Sequence, residues 1–187
     1  MVAKVLLVGL LTVAAATDVL RHRIYNWTTY PGILVAVGLN ALGSGLSAAA
    51  IVDQAALARL GWIGLAESLY GLLICGVVLL ICYVLFKVGG GDVKLMAMLG
   101  AFLGPGQGVV AMLWTFVLGG CLGLIVLVWR MGPLALLGAV FRHLVWMLRL
   151  ARPQPLTPEE RALLQPPLFL APSALVAAVI VQFALIG

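Results

Sequence analysis

Residues 94–130 read KLMAMLGAFLGPGQGVVAMLWTFVLGGCLGLIVLVWR, an uncharged run flanked by Lys94 and Arg130. A helix needs about 20 apolar residues to cross ~30 Å of hydrocarbon. The run is too apolar for a water-facing helix and too long for one span. Gly104-Pro105-Gly106-Gln107-Gly108 interrupts it with a strong turn signal. Two helices are expected there, a short one over 92–104 and a full-length one over 109–129. The chain thus reads as an all-α integral membrane protein.

The rest of the sequence agrees with that reading. The 187 residues are 64% hydrophobic and only 9% charged, and the mean hydropathy is +1.21. Soluble domains are about a quarter charged. The composition therefore excludes a soluble enzyme, a disordered tail and a nucleic-acid-binding domain. Cys75, Cys82 and Cys121 all lie in apolar runs and form no CxxC pair, so neither a metal site nor a disulfide framework is expected.

Gaps between charges outline further spans near 2–20, 29–46, 67–86 and 168–186, six in all within one domain covering 1–187. The basic residues set their direction. With the first helix running inward, Arg21, Arg23, Lys87, Lys94, Arg130, Arg142, Arg149, Arg152 and Arg161 fall inside, and only Lys4 and Arg59 outside. That asymmetry obeys the positive-inside rule and puts both termini outside. The net charge of +5 thus reports orientation rather than an anionic partner. A rival reading treats Lys4, the apolar run and Ala14-Ala15-Ala16 as a secretory signal peptide. The basic cluster Arg21-His22-Arg23 just after the run opposes export.

Residues 133–150 carry Arg142, Trp146 and Arg149 on one helical face and Leu137, Phe141, Leu144 and Leu148 on another. This pattern predicts an amphipathic helix in the inner interface. Pro153, Pro155 and Pro158 end it. The long inner segment 130–166 offers a surface for docking a substrate.

Carboxylates inside a membrane cost at least ~2.5–3.5 kcal/mol at mid-span. Three residues are candidates: Asp18, Glu67 and Asp92. Glu67 can sit at the outer interface, leaving 68–86 as a full span. Only residues 5–17 are uncharged before Asp18, roughly 20 Å of helix. Lys4 can snorkel on its long stem, whereas Asp18 cannot. Asp18 is thus expected about a turn inside the cytosolic edge. Asp92 follows Gly89-Gly90-Gly91 and opens a short helix, where it can serve as N-cap. The bare glycine backbone admits close approach by another chain, or hydrogen bonding to an extended peptide; it can equally be a flexible connector.

Both acids therefore fall at inner helix ends, in one layer of the membrane. Two carboxylates at one depth can share a proton, one acting as general base toward water and the other as general acid toward a carbonyl oxygen. That is the chemistry of aspartyl peptide hydrolysis. Neither His22 nor His143 has a placeable nucleophile partner.

Gly89-Gly90-Gly91-Asp92-Val93-Lys94-Leu95 resembles the GxGDxK(L) signature of type IV prepilin and archaeal preflagellin peptidases. Asp18, its basic cluster and Ile24-Tyr25-Asn26 resemble the first aspartate motif of that family, with Tyr25 where proline is usual. Pro166-Pro167 to Pro172 is similar to the proline-rich entry into its last helix. The resemblance implies that Asp18 and Asp92 are the catalytic pair and that Asn26 and Lys94 are structural motif positions. It further implies a substrate that is a pilin-like precursor with a short basic leader before an apolar helix. Cleavage is then expected on the cytosolic side of a prokaryotic inner membrane, with no cofactor and no nucleic-acid partner. The large bifunctional members carry a CxxC-bearing insert and methylate the new N-terminus. Without that insert, this chain is expected to be a peptidase lacking methyltransferase activity, similar to the short members serving tight-adherence pili.

Three other readings compete. Presenilin-like proteases share GxGD, but Thr17 stands where their Tyr precedes the first aspartate. A proton-coupled carrier would use Asp18 and Asp92 as a relay, yet gives no reason for the Lys94 spacing. A structural membrane subunit would use both acids as caps.

Overall fold

The structure, a computed structural model, describes residues 2–21, 23–86, 89–132, 137–138, 141 and 170–184. The chain divides into two compact units, Met1–Leu118 with Phe169–Gly187, and Gly119–Leu168. The site described below lies wholly in the first. The regular elements among the described residues are helices: α1 (Val2–Arg21), α2 (Asn26–Ala48), α3 (Gln54–Leu60), α4 (Leu65–Phe86), α5 (Gly90–Met131) and α6 (Leu170–Ala184).

Four helical stretches are long and apolar enough to cross a membrane: Val2–Arg21, Asn26–Ala48, Gln54–Leu85 and Gly90–Trp129. Leu170–Gln182 is a shorter apolar helix. The expected count of six treats the two parts of α5 as separate spans and adds α6. The anticipated interfacial helix at 133–150 falls outside the described residues apart from 137, 138 and 141. Large side chains such as Leu20, Leu34, Val84 and Trp129 point outward, as lipid-facing positions should.

With lipid tails outside, burying apolar area gives little drive for association, so close packing of small residues and hydrogen bonds hold the helices together. In α1, Leu7, Leu11, Ala14 and Asp18 form the buried stripe at helical spacing. Helix α6 packs along it with an alanine face, Ala171, Ala174, Ala177 and Ala178, all fully buried. The two helices are antiparallel: Ala171 meets Asp18, and Gln182 lines a cavity with Lys4 and Leu7.

Helix α2 presents small residues inward. Gly32 faces Met98 and Leu10, and Gly43 faces the Trp62 ring. One turn apart on α2, Asn40 and Ser44 secure the start of α4. The Asn40 Oδ1 accepts the Ile63 N–H at 3.0 Å and the Ser44 Oγ accepts the Leu65 N–H at 3.0 Å. Between them lies α3, which charge spacing alone did not anticipate. It ends in a Schellman turn at Gly61, φ +91°, with the Trp62 N–H on the Leu57 carbonyl at 3.1 Å.

Helices α4 and α5 approach until their backbones touch. A Cβ on Gly71 would collide with the Gly100 carbonyl, and one on Gly100 would collide with Gly71. Gly100, Gly104 and Gly108 recur every fourth residue against Gly71 and Cys75, a small-residue seam. The Ser68 hydroxyl adds a bond to the Ala101 carbonyl at 2.7 Å. The expected break in α5 is present but narrower than a five-residue turn. Only Gly104 departs from helical geometry, with φ 77° and ψ 178°. Pro105 then opens the following helix, a position where its missing N–H costs nothing. The second part of α5 therefore begins at 105 rather than 109.

Candidate active site

Asp18 ends the buried stripe of α1 and is 7% exposed. Its Oδ2 accepts the Ala171 N–H at 3.2 Å. Ala171 is the second residue of α6, where backbone amides have no helical partner and the helix dipole is positive. The carboxylate thus satisfies an orphan amide from a segment 153 residues away. Charge spacing singled out Asp18 near the end of α1, and the structure buries it against α6. The spacing could not reveal the amide, because a backbone N–H leaves no mark in the sequence.

Asp92 sits in the first turn of α5, with its N–H on the Gly89 carbonyl at 3.0 Å. It is the third helical residue, not the N-cap expected from sequence. Its carboxylate turns back to the Gly89 backbone, the acidic half of a capping box. The reason for the shift is that Gly90 and Gly91 both adopt helical geometry.

Asp18 and Asp92, 74 positions apart in sequence, lie within electrostatic reach of one another. The structure therefore brings the two expected acids together. Glu67, by contrast, is exposed in the first turn of α4, where the helix dipole favours it.

The three glycines have different surroundings. Gly89 faces the Asp92 carboxylate, and Gly90 looks toward Tyr83. Gly91 meets Ile24, whose Cβ would lie 3.0 Å from a Cβ on that glycine. The α1–α2 connection is thus pressed against the residue preceding Asp92. At Gly91 the close approach is made by the chain's own Ile24, while Gly89 and Gly90 are exposed.

Lys94 and Asn26 come together. The Lys94 Nζ donates to the Asn26 Oδ1 at 2.8 Å and stands 4.7 Å from the centre of the Tyr30 ring. Asn26 is the first residue of α2, so this contact ties the start of α2 to the first turns of α5. Tyr25, in the place of the usual proline, is the N-cap of α2 with φ −82°, near the value a proline ring imposes. Its hydroxyl accepts from Arg21 at 3.2 Å. Among the described residues no three His, Cys, Asp or Glu side chains gather as a metal site would need.

Apolar helices that bury one carboxylate and hold a second within its field define a polytopic membrane protein with an acid pair at its helix ends. Residues 5–124 match the type IV leader peptidase family, and the chain belongs to that family. No curated protein and no solved structure matches the chain significantly. The matched stretch contains Asp18, Asn26, Asp92 and Lys94, while α6, which supplies the amide to Asp18, lies beyond it.

Proposed function

We propose that this protein is an aspartic endopeptidase that removes the short basic leader from pilin-like precursors at the cytosolic face of a prokaryotic inner membrane. Family membership supports the leader-peptidase activity. The observation that carries the mechanism is the mutual electrostatic reach of Asp18 and Asp92. The Ala171 amide holds the Asp18 carboxylate and the Gly89 backbone holds that of Asp92, and the pair works by sharing one proton. One takes a proton from water as it attacks the scissile carbonyl while the other gives its proton to the carbonyl oxygen; as the C–N bond breaks, the first passes the water's proton to the leaving amine and the second recovers its proton from a hydroxyl of the tetrahedral intermediate. Lys94 and Asn26 are positioning residues that fix the α1–α2 connection beside Asp92. The basic residues after Asp18 suit the cytosolic edge. The activity is hydrolysis alone, without N-methylation.

The test is purified protein in lipid nanodiscs, incubated with a pilin-like precursor and followed by intact mass. The expected result is one cut that releases the leader, with no mass added to the new N-terminus. Cleavage should survive chelators and thiol alkylation. Loss of cleavage under either treatment would overturn the aspartic assignment.

A further inference from the structure

At the end of α1 opposite Asp18, Lys4 and Leu7 line a partly open cavity of about 140 Å³ together with Trp62, Phe102, Gln107 and Gln182. Lys4 and Asp18 are separated by about 21 Å of helix, so the cavity is distinct from the acid pair. A single water occupies about 30 Å³ of liquid, and the space is several times that. Its walls are held in place. The Trp62 indole donates to the Asn40 carbonyl at 3.1 Å, and Gly61 packs on Ala3.

The polar lining is one-sided. Gln182 is 4% exposed, and its Nε2 has no hydrogen-bond partner. A buried amide donor without a partner is costly and calls for an acceptor from outside the chain. Lys4 adds a cation, Gln107 a second carboxamide, and no carboxylate lines the space. Beside the Lys4 cation, an anionic acceptor is the complementary one. Leu7, Phe102 and Leu103 supply apolar walls beside it. Lys4 begins the apolar span of α1, where helix ends meet lipid headgroups.

We propose that this cavity binds a phosphate group, with Lys4 and the Gln182 amide as its donors and a phospholipid headgroup as its source.

The test uses purified protein in detergent, comparing wild type with Gln182→Leu and Lys4→Met by thermal unfolding and native mass spectrometry. The probes are short-chain phosphatidylglycerol, inorganic phosphate and an uncharged alkyl glucoside. Phosphatidylglycerol should raise the wild-type Tm by several degrees and remain bound in the mass spectrum, and each variant should lose most of that shift. A shift with inorganic phosphate alone would support the phosphate site with a free anion as occupant. Gln182→Leu leaves no partner unsatisfied, and Lys4→Met supplies an independent readout if that variant folds poorly. Equal lipid-induced shifts in wild type and in both variants, or an equal shift with the glucoside, would overturn the proposal. Precursor cleavage by Gln182→Leu should match wild type, since the cavity is remote from Asp18 and Asp92.

Discussion

Replacing Gly91 by alanine adds one methyl group at the point where the two halves of the acid pair are joined. The new Cβ would stand 3.0 Å from the Ile24 Cβ and 3.5 Å from its carbonyl oxygen. Carbon atoms rest about 3.5–4.0 Å apart, so the two segments must separate by roughly 0.5–1 Å. Overpacking of this size costs about 1–3 kcal/mol of stability. The catalytic effect should be larger in proportion. Gly91 directly precedes Asp92, and Ile24 follows Asp18 by less than two turns, so the displacement falls on both carboxylates. A misplacement of about 1 Å can cost ~10²-fold in rate. The expected result is a fall in kcat of about 10- to 100-fold, measured on a pilin-like precursor in nanodiscs, with a folded protein by thermal unfolding. Ile24→Gly removes the opposing Cβ. In the double variant the two changes should couple by about 1 kcal/mol or more, with part of the rate recovered. Wild-type cleavage by Gly91→Ala, or strictly additive effects in the double variant, would refute the packing argument.

Other outcomes follow from the same geometry. Lys94→Met and Asn26→Ala each break the 2.8 Å bond and should slow cleavage by similar factors; the double variant should be little worse than either, because both remove one tie. Gly100→Ala puts a methyl into the Gly71 backbone and should lower stability by about 1–3 kcal/mol, read as a drop in Tm in detergent. Tyr25→Pro suits a backbone already at φ −82° and should change stability by about +0.4–1 kcal/mol, seen as a higher Tm.

Much of the site could be read from charge spacing. Thirteen uncharged residues before Asp18 are too few to cross a bilayer, and that shortfall alone drew Asp18 below the surface. The same arithmetic, with the signs of the loops, put Asp92 in the same layer; the structure shows the two acids close enough to act on one another electrostatically. What escaped was contact between distant backbones. The Ala171 amide on Asp18 has no side-chain signature. The α4–α5 seam leaves a trace, glycines at 100, 104 and 108, but Gly104 and Gly108 served as part of a turn signal in a reading based on charge gaps, and Gly100 was not used. Only Gly104 broke the helix; the others were spent on close packing. Helix α3 was missed because seven residues are too few for a span and carry only Arg59 as a charge. Asp92 was placed at the cap because an aspartate after glycines suits that position, whereas Gly90 and Gly91 are themselves helical, and Gly91 packs against Ile24.

The central proposition is that Asp18 and Asp92 act as one proton-sharing pair. Its most direct test is the cleavage rate of Asp18→Asn and of Asp92→Asn, each purified, folded and in nanodiscs. Asparagine keeps an acceptor oxygen for the Ala171 N–H, so the fold should survive while the acid is lost. Each variant should cleave at least about 10²- to 10⁴-fold more slowly than wild type, the range that general acid–base groups contribute. A folded variant of either kind that keeps a tenth or more of the wild-type rate would contradict it.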